Sequence, residues 1–139
     1  MNKSILRFMI PKSLVEHVGE NSTLRQALEK MHFHKYAAIP VIDAGGKYIG
    51  TLRSDDLLEC FFENDRFDKF AAEDIYVKDI LKPNATKPVA HDAPLTELIE
   101  HIKEHNFVPV VDDRGCFIGI ILRREILSYL LNHFKEFKF

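Results

Sequence analysis

The sequence predicts a mixed α/β fold of the α+β class: two tandem repeats, each running β-α-β-β-α, packed as a pseudo-two-fold pair. The first observation behind this is an internal duplication. The stretch from Ile39 to Leu58 reads again, at a constant offset, from Val108 to Leu127. Pro40/Pro109, Val41/Val110, Asp43/Asp112, Gly46/Gly115, Ile49/Ile118, Gly50/Gly119 and Leu58/Leu127 are identical, while Tyr48/Phe117, Asp56/Glu125 and Leu57/Ile126 are conservative pairs. The second observation is an apolar periodicity that passes twice from helical spacing to a strand–turn–strand pattern. The third is size. The 139 residues hold two copies of roughly 60 residues, and a unit that small buries too little surface to be comfortably stable alone. The copies span residues 5–62 and 77–134, joined by the charged stretch 63–76.

Each copy opens with a short helical or turn segment ending in proline, Ile5 to Pro11 and Val77 to Pro83, where the residue before proline is pushed to extended backbone. A short strand is expected from Leu14 to Val18 and from Lys87 to Ala90. An amphipathic helix follows, marked by Leu24, Ala27, Leu28 and Met31 in one copy and by Leu95, Leu98, Ile99 and Ile102 in the other. Ser22 or Thr23 and Asp92 are the candidate N-caps, with Pro94 in the first turn. Two strands come next, Ala38 to Asp43 with Lys47 to Leu52, and Phe107 to Asp112 with Cys116 to Leu122. Their hairpin turns are Ala44-Gly45-Gly46 and Asp113-Arg114-Gly115. A last helix closes each copy, Asp55 to Phe62 and Arg124 to about Phe134. The tail from His133 to Phe139 extends the second of these, and Phe134, Phe137 and Phe139 give it apolar groups with which to dock.

A composition of 46% hydrophobic and 29% charged residues is that of a soluble globular chain. The net charge of −2 argues against a general nucleic-acid or membrane-surface binder. Cys60 and Cys116 have no metal-type spacing, which points to a reducing compartment. Arg7 and Lys12 break the apolar opening, so neither a signal peptide nor a membrane span is expected, and the cytoplasm is the expected location.

The motifs Val77-Lys-Asp-Ile-Leu-Lys-Pro83, Ile39-Pro-Val-Ile-Asp43 and Val108-Pro-Val-Val-Asp112 resemble those of paired CBS domains, the Bateman module. Ile49-Gly50 and Ile118-Gly119 add to the likeness, each followed six residues past the glycine by Asp56 or Glu125. More narrowly, Phe8-Met9-Ile10, Tyr36-Ala37-Ala38-Ile39-Pro40, Asn106-Phe107-Val108, Arg123-Arg124 and Leu131-Asn132-His133 resemble the small stand-alone CBS proteins of Gram-positive bacteria that bind cyclic di-AMP. The resemblance implies a non-enzymatic adenine-nucleotide sensor, a homodimer that binds its ligand in clefts between repeats and modulates a partner protein. It implies no metal and no cofactor beyond the nucleotide: cyclic di-AMP, or AMP, ADP or ATP.

The candidate ligand-binding residues are Leu14, Glu16, Tyr36, Ala37, Ala38, Arg53, Asp56, Arg123 and Arg124. Arg123 and Arg124 enter the last helix without a good capping residue, and the macrodipole disfavours two cations there by about 1 kcal/mol or less each. A bound phosphate would reverse that sign; otherwise both are solvated surface groups. The resemblance sets them opposite Ser13 to Glu16 and Tyr36 to Ala38, where the alanines leave room and Tyr36 offers a ring face or serves as a strand-edge aromatic. A mirror site would join Arg53, Asp55 and Asp56 to Lys87, Pro88 to Ala90 and Asn106-Phe107. Asp56 stands at the family's ribose-binding position, or favours the helix dipole; Glu125 is its longer counterpart.

Arg53 and Leu122 replace the hydroxyl residues usual three positions after the glycine, and Leu14 and Glu16 replace a basic and a small residue, so Glu16 sets a carboxylate against a dianionic ligand. These departures favour a ligand-free assembly module as an alternative; an AMP, ADP or ATP sensor working through Asp56 is another. His101-Ile-Lys-Glu-His105 matches a metalloprotease pattern that would set both histidines on one helix face, but no third ligand is indicated. His32 and His34, around Phe33, would be solvated or would meet phosphate when protonated.

Overall fold

A computed structural model of the chain describes residues 4–63, 73–82 and 86–133. In chain order the strands are β1 (Met9–Pro11), β2 (Val18–Gly19), β3 (Ala38–Ile42), β4 (Tyr48–Arg53), β5 (Val89–Ala90), β6 (Phe107–Val111) and β7 (Phe117–Leu122). The helices are α1 (Leu24–His34), α2 (Ser54–Glu63), α3 (Val77–Ile80), α4 (Leu95–Ile102) and α5 (Arg123–Asn132), and short 3-10 turns at Ile5–Phe8 and Lys12–Leu14 flank β1. Most of the 63–76 stretch, Pro83 and the tail with Phe134, Phe137 and Phe139 lie outside the described residues. Among the described residues no helix is long and apolar enough to cross a membrane. The expected α+β class is the one observed, with helices packed on two separate sheets.

The chain divides into two units, Glu16–Lys87, and Met1–Val15 together with Pro88–Phe139. The first holds the sheet β2-β3-β4, with β2 parallel and β4 antiparallel to β3. Its helix α1 starts where Thr23 and Gln26 form a capping box, each side chain bonding the other's backbone N–H, which is a gain of about 1 kcal/mol. The helix buries Leu24, Ala27 and Met31 against Val18, Ile39, Val41, Leu52, Leu57, Cys60 and Val77. Fully burying a leucine or isoleucine of this set contributes about 1.5–3 kcal/mol. Short α3 is tied to the entry of α1, since Val77 N–H donates to the Ser22 carbonyl at 2.9 Å.

The second unit carries the sheet β1-β7-β6-β5 over a core of Ile5, Val89, Ala93, Leu98, Ile102, Val108, Val110, Ile121 and Ile126. Its extra strand, β1, runs antiparallel to β7 with Met9 opposite Ile121 and Pro11 opposite Gly119. The opening of the first sequence copy is thus part of the sheet built by the second. Both hairpins close in the same way. Gly46 and Gly115 take positive φ of 87° and 81°, open to glycine without strain, and Asp43 and Asp112 each accept two backbone N–H bonds across the turn. The bond from Cys116, then that from Arg114, holds the Asp112 carboxyl below the ordinary carboxylate range.

Four local expectations are corrected. The strand from Leu14 to Val18 is a 3-10 turn over Lys12–Leu14, closed by Val15 N–H on the Lys12 carbonyl, and pairing starts only at Val18. The strand from Lys87 begins at Val89, since Pro88 has no N–H to give to a ladder. Pro94, and not Asp92, takes the cap position of α4, where a missing N–H costs nothing. Helix α4 ends at Ile102, so His101 and His105 do not share a helix face.

Candidate functional site

In the Glu16–Lys87 unit the backbone brings the entry of α2 to the start of β3. Ala38 and Arg53 are paired across the antiparallel ladder, and Ser54 N–H donates to the Ala37 carbonyl at 2.9 Å. Ala37, Ala38, Arg53 and Asp56 thereby form one neighbourhood. Asp56, 9% exposed, accepts the Arg53 N–H on Oδ2 at 3.0 Å and keeps Oδ1 toward Lys82, 3.6 Å away. One carboxylate oxygen therefore serves the helix start, and the other pairs with the Lys82 ammonium. Lys82 also pairs with Glu59, which raises the lysine ammonium above its ordinary value ahead of the smaller effect of Asp56.

Arg53 Nη2 donates to Thr86 Oγ1 at 2.9 Å. Thr86, 4% exposed, accepts the Tyr48 hydroxyl on its carbonyl at 2.9 Å, and the same phenol lies 2.7 Å from Thr51 Oγ1. Thr86 thus ties the Arg53 guanidinium to the Tyr48 phenol within this unit. Thr86, Tyr48, Thr51 and Lys82 escaped the sequence reading. Thr86 lies in a stretch without periodicity, and the only available signal was a hydroxyl residue just ahead of β5.

Burial pushes the Tyr48 phenol up to about 12, against smaller opposing effects of the Thr51 hydrogen bond and the Arg53 charge. Between about pH 10 and 12 the folded protein holds a proton that the unfolded chain releases, so stability falls as pH rises through that window, by about 1.4 kcal/mol per unit. Denaturant unfolding at pH 7, 10 and 11.5 checks this. Tyr48→Phe should cost about 1 kcal/mol at pH 7 through its lost hydrogen bonds and should flatten the alkaline decline. An unchanged alkaline slope in the variant would contradict the assignment.

Glu16 does not stand alone: its carboxylate lies 3.2 Å from Lys30 Nζ and 3.5 Å from His34 Nε2. Its charge is therefore compensated within its own unit. Tyr36 is 39% exposed, with its ring stacked on His34.

The second unit carries Leu14, Arg123 and Arg124. Leu14 is 75% exposed on its 3-10 turn. Arg123 N–H donates to the Asn106 carbonyl at 2.8 Å, the counterpart of Ser54 and Ala37. Leu122 caps α5 without a side-chain bond, as expected, but the two arginines differ. Arg123 turns back, with Nε donating to the Ile102 carbonyl at 2.7 Å and Nη1 to Asn106 Oδ1 at 3.1 Å. It neutralises the C-terminal end of α4, where a cation is favoured, so its place at the start of α5 carries little penalty. Arg124 is 81% exposed, with a 3.9 Å ion pair to Glu125, and its guanidinium can meet an anion.

The family model for the CBS domain matches residues 6–63 and 74–132. The chain is similar to the "Cyclic di-AMP receptor B" of Bacillus subtilis (strain 168), 25% identical over 98% of this chain and 92% of that protein. Among solved structures it is similar to Listeria monocytogenes CbpB in complex with c-di-AMP, with a TM-score of 0.82 and 25% identity over 96% of this chain and 98% of that one. It is also similar to CBSX2 in complex with AMP, with a TM-score of 0.74 and 25% identity over 93% and 96% of the two chains. Both repeats match the family model, and the two sheets are those of tandem CBS structures: the chain belongs to the CBS domain family.

Proposed function

We propose that this chain is a non-enzymatic regulatory sensor of an adenine nucleotide, with cyclic di-AMP as its ligand. The observation that carries the reading is the contrast between Arg123 and Arg124: one guanidinium is consumed by the fold, and the next stands 81% exposed, with only a long ion pair to Glu125, at a helix start without a side-chain cap. The relatives named for or solved with c-di-AMP support the choice of nucleotide. Leu14 and Arg124 are the proposed contact residues of one unit, with Arg123 holding the helix start beside them, and Glu16, Tyr36, Ala37, Ala38, Arg53 and Asp56 those of the other. Ligand occupancy shifts the population of conformers and so alters affinity for a regulated partner protein.

The melting temperature, measured with cyclic di-AMP, AMP, ADP and ATP in turn, tests the choice. At a hundred times its Kd a ligand adds about 2.7 kcal/mol of stability. Cyclic di-AMP should give the largest rise. A flat response to all four would leave a ligand-free assembly module.

A second reading, an AMP, ADP or ATP sensor, would use Asp56 Oδ1, which faces Lys82 Nζ at 3.6 Å, to accept from a ribose. In that case Asp56→Asn, which keeps an acceptor for the Arg53 N–H, should abolish AMP binding with little loss of stability.

A homodimer accompanies either reading. Leu58 and Phe62 on α2 are 66% and 83% exposed, and Leu127 and Leu131 on α5 are 55% and 75% exposed. The duplication has placed the same apolar i,i+4 pair on both helices, a pattern that suits self-association. Phe62→Glu with Leu131→Glu should halve the mass measured by light scattering, and a wild-type monomer would contradict the proposal.

A further inference from the structure

The helix α1 ends in an arrangement that the duplication does not repeat. Lys35 takes a left-handed conformation, with φ 57° and ψ 40°, and Tyr36 N–H bonds back to the Met31 carbonyl at 2.9 Å. A lysine in that region is uncommon and mildly strained, and the effect here is to fold Tyr36 back onto the last turn. Its ring lies parallel to the His34 imidazole, 5.2 Å between centroids with 15° between planes. Phe33, 80% exposed, meets the His34 ring edge-on at 4.9 Å and 81°. His34 Nε2 holds one Glu16 oxygen at 3.5 Å, and Lys30 holds the other at 3.2 Å while also donating to the His17 carbonyl at 2.9 Å. The imidazole touches Phe33, Tyr36 and Glu16.

We infer that His34 is a positioning residue for the nucleotide: its ring backs Tyr36 as one layer of an aromatic column whose next layer is the adenine base, while its Nε2 helps hold Glu16. This rests on the proposed function, since Tyr36 is a ligand contact only if that reading holds. It also accounts for a carboxylate being tolerated near a dianionic ligand. Glu16 is bound by an ammonium and an imidazole of its own unit, so its charge is not directed at the phosphates. The bare alternative, a solvated histidine at a helix end, leaves the parallel stack and the 3.5 Å contact with Glu16 without a role.

The test uses the full chain with His34 replaced in three ways. His34→Phe keeps a ring and loses Glu16, His34→Gln keeps a polar contact and loses the ring, and His34→Ala loses both. Two readouts are taken: the Tyr36 ring-proton resonances of the ligand-free protein by NMR, and the calorimetric Kd for cyclic di-AMP. His34→Ala should move the Tyr36 resonances downfield, through loss of the stacked ring's current, and should weaken binding about five-fold, the size of an aromatic pair. His34→Phe, which keeps the ring but releases Glu16, should recover affinity to within about two-fold of wild type, and His34→Gln, which keeps only a polar contact, should stay about as weak as His34→Ala. Unchanged resonances and affinity in His34→Ala would overturn the inference while leaving the proposed function standing, as would His34→Phe being as weak as His34→Ala. Wild-type protein with a shifted Tyr36 ring but no nucleotide binding would overturn the proposed function, and the role of His34 with it.

Discussion

Gly119→Ala is expected to destabilise the second unit by about 2–4 kcal/mol, whereas Gly50→Ala, at the equivalent position of the first copy, should cost less than about 1 kcal/mol. The sequence makes the two positions identical, and packing separates them. A Cβ on Gly119 would sit 2.3 Å from the Ile10 carbonyl oxygen, 2.7 Å from Met9 Cγ and 2.8 Å from Met9 Sδ. The nearest of these atoms is backbone, in the strand that pairs with β7, so relief means moving β1 off the sheet. That would in turn uncover Ile5, which is fully buried in the core of that unit. The nearest atoms to a Cβ on Gly50 are those of the Leu81 side chain, at 3.1 Å, and a leucine end can rotate away. Thermal unfolding of the two variants should show a fall on the order of 10 °C for Gly119→Ala and a few degrees at most for Gly50→Ala. Equal losses would mean that β1 does not lie against Gly119.

The adjacent arginines should separate in the same way, one by stability and the other by affinity. Arg123→Ala removes donors from the Ile102 carbonyl and Asn106 and should cost about 1.5–3 kcal/mol of stability. Arg124→Ala removes an 81% exposed side chain whose ion pair is 3.9 Å long, and it should leave the melting temperature unchanged within about a degree. Its loss should instead weaken cyclic di-AMP binding about 10–100-fold, the value of a charge-assisted hydrogen bond to phosphate. Arg124→Lys, which keeps the charge but not the planar fork, should fall between wild type and Arg124→Ala. The reverse pattern, with Arg124 governing stability and Arg123 affinity, would contradict the geometry.

Much of the fold was legible because its information is local. The hairpins follow from Asp43 and Asp112 with a glycine three residues on, and α1 follows from Thr23, Gln26 and the spacing of Leu24, Ala27 and Met31. What escaped was non-local. Met9 to Pro11 carry no sign that they pair with residues more than a hundred positions away, because three extended residues fit almost any sheet edge. The site shows the same division. Arg53, Asp56 and the arginine pair were visible from their offsets within the repeat. The donation of Arg53 to Thr86, and that of Arg123 to Ile102, depend on chain returns that no spacing records. Glu16 was read as an unfavourable charge, and its compensation comes from Lys30 and His34, one turn apart on α1.

The central claim is that the chain senses a cyclic dinucleotide through Arg124. Calorimetric titration of cyclic di-AMP into wild-type protein and into Arg124→Ala, at the same salt concentration, tests it most directly. The account predicts saturable binding tighter than about 100 μM, a free energy of roughly 5.5 kcal/mol or more, for the wild type, and a loss of at least about ten-fold in the variant with folding intact. No heat with the wild type, or equal affinity in the two proteins, would contradict it.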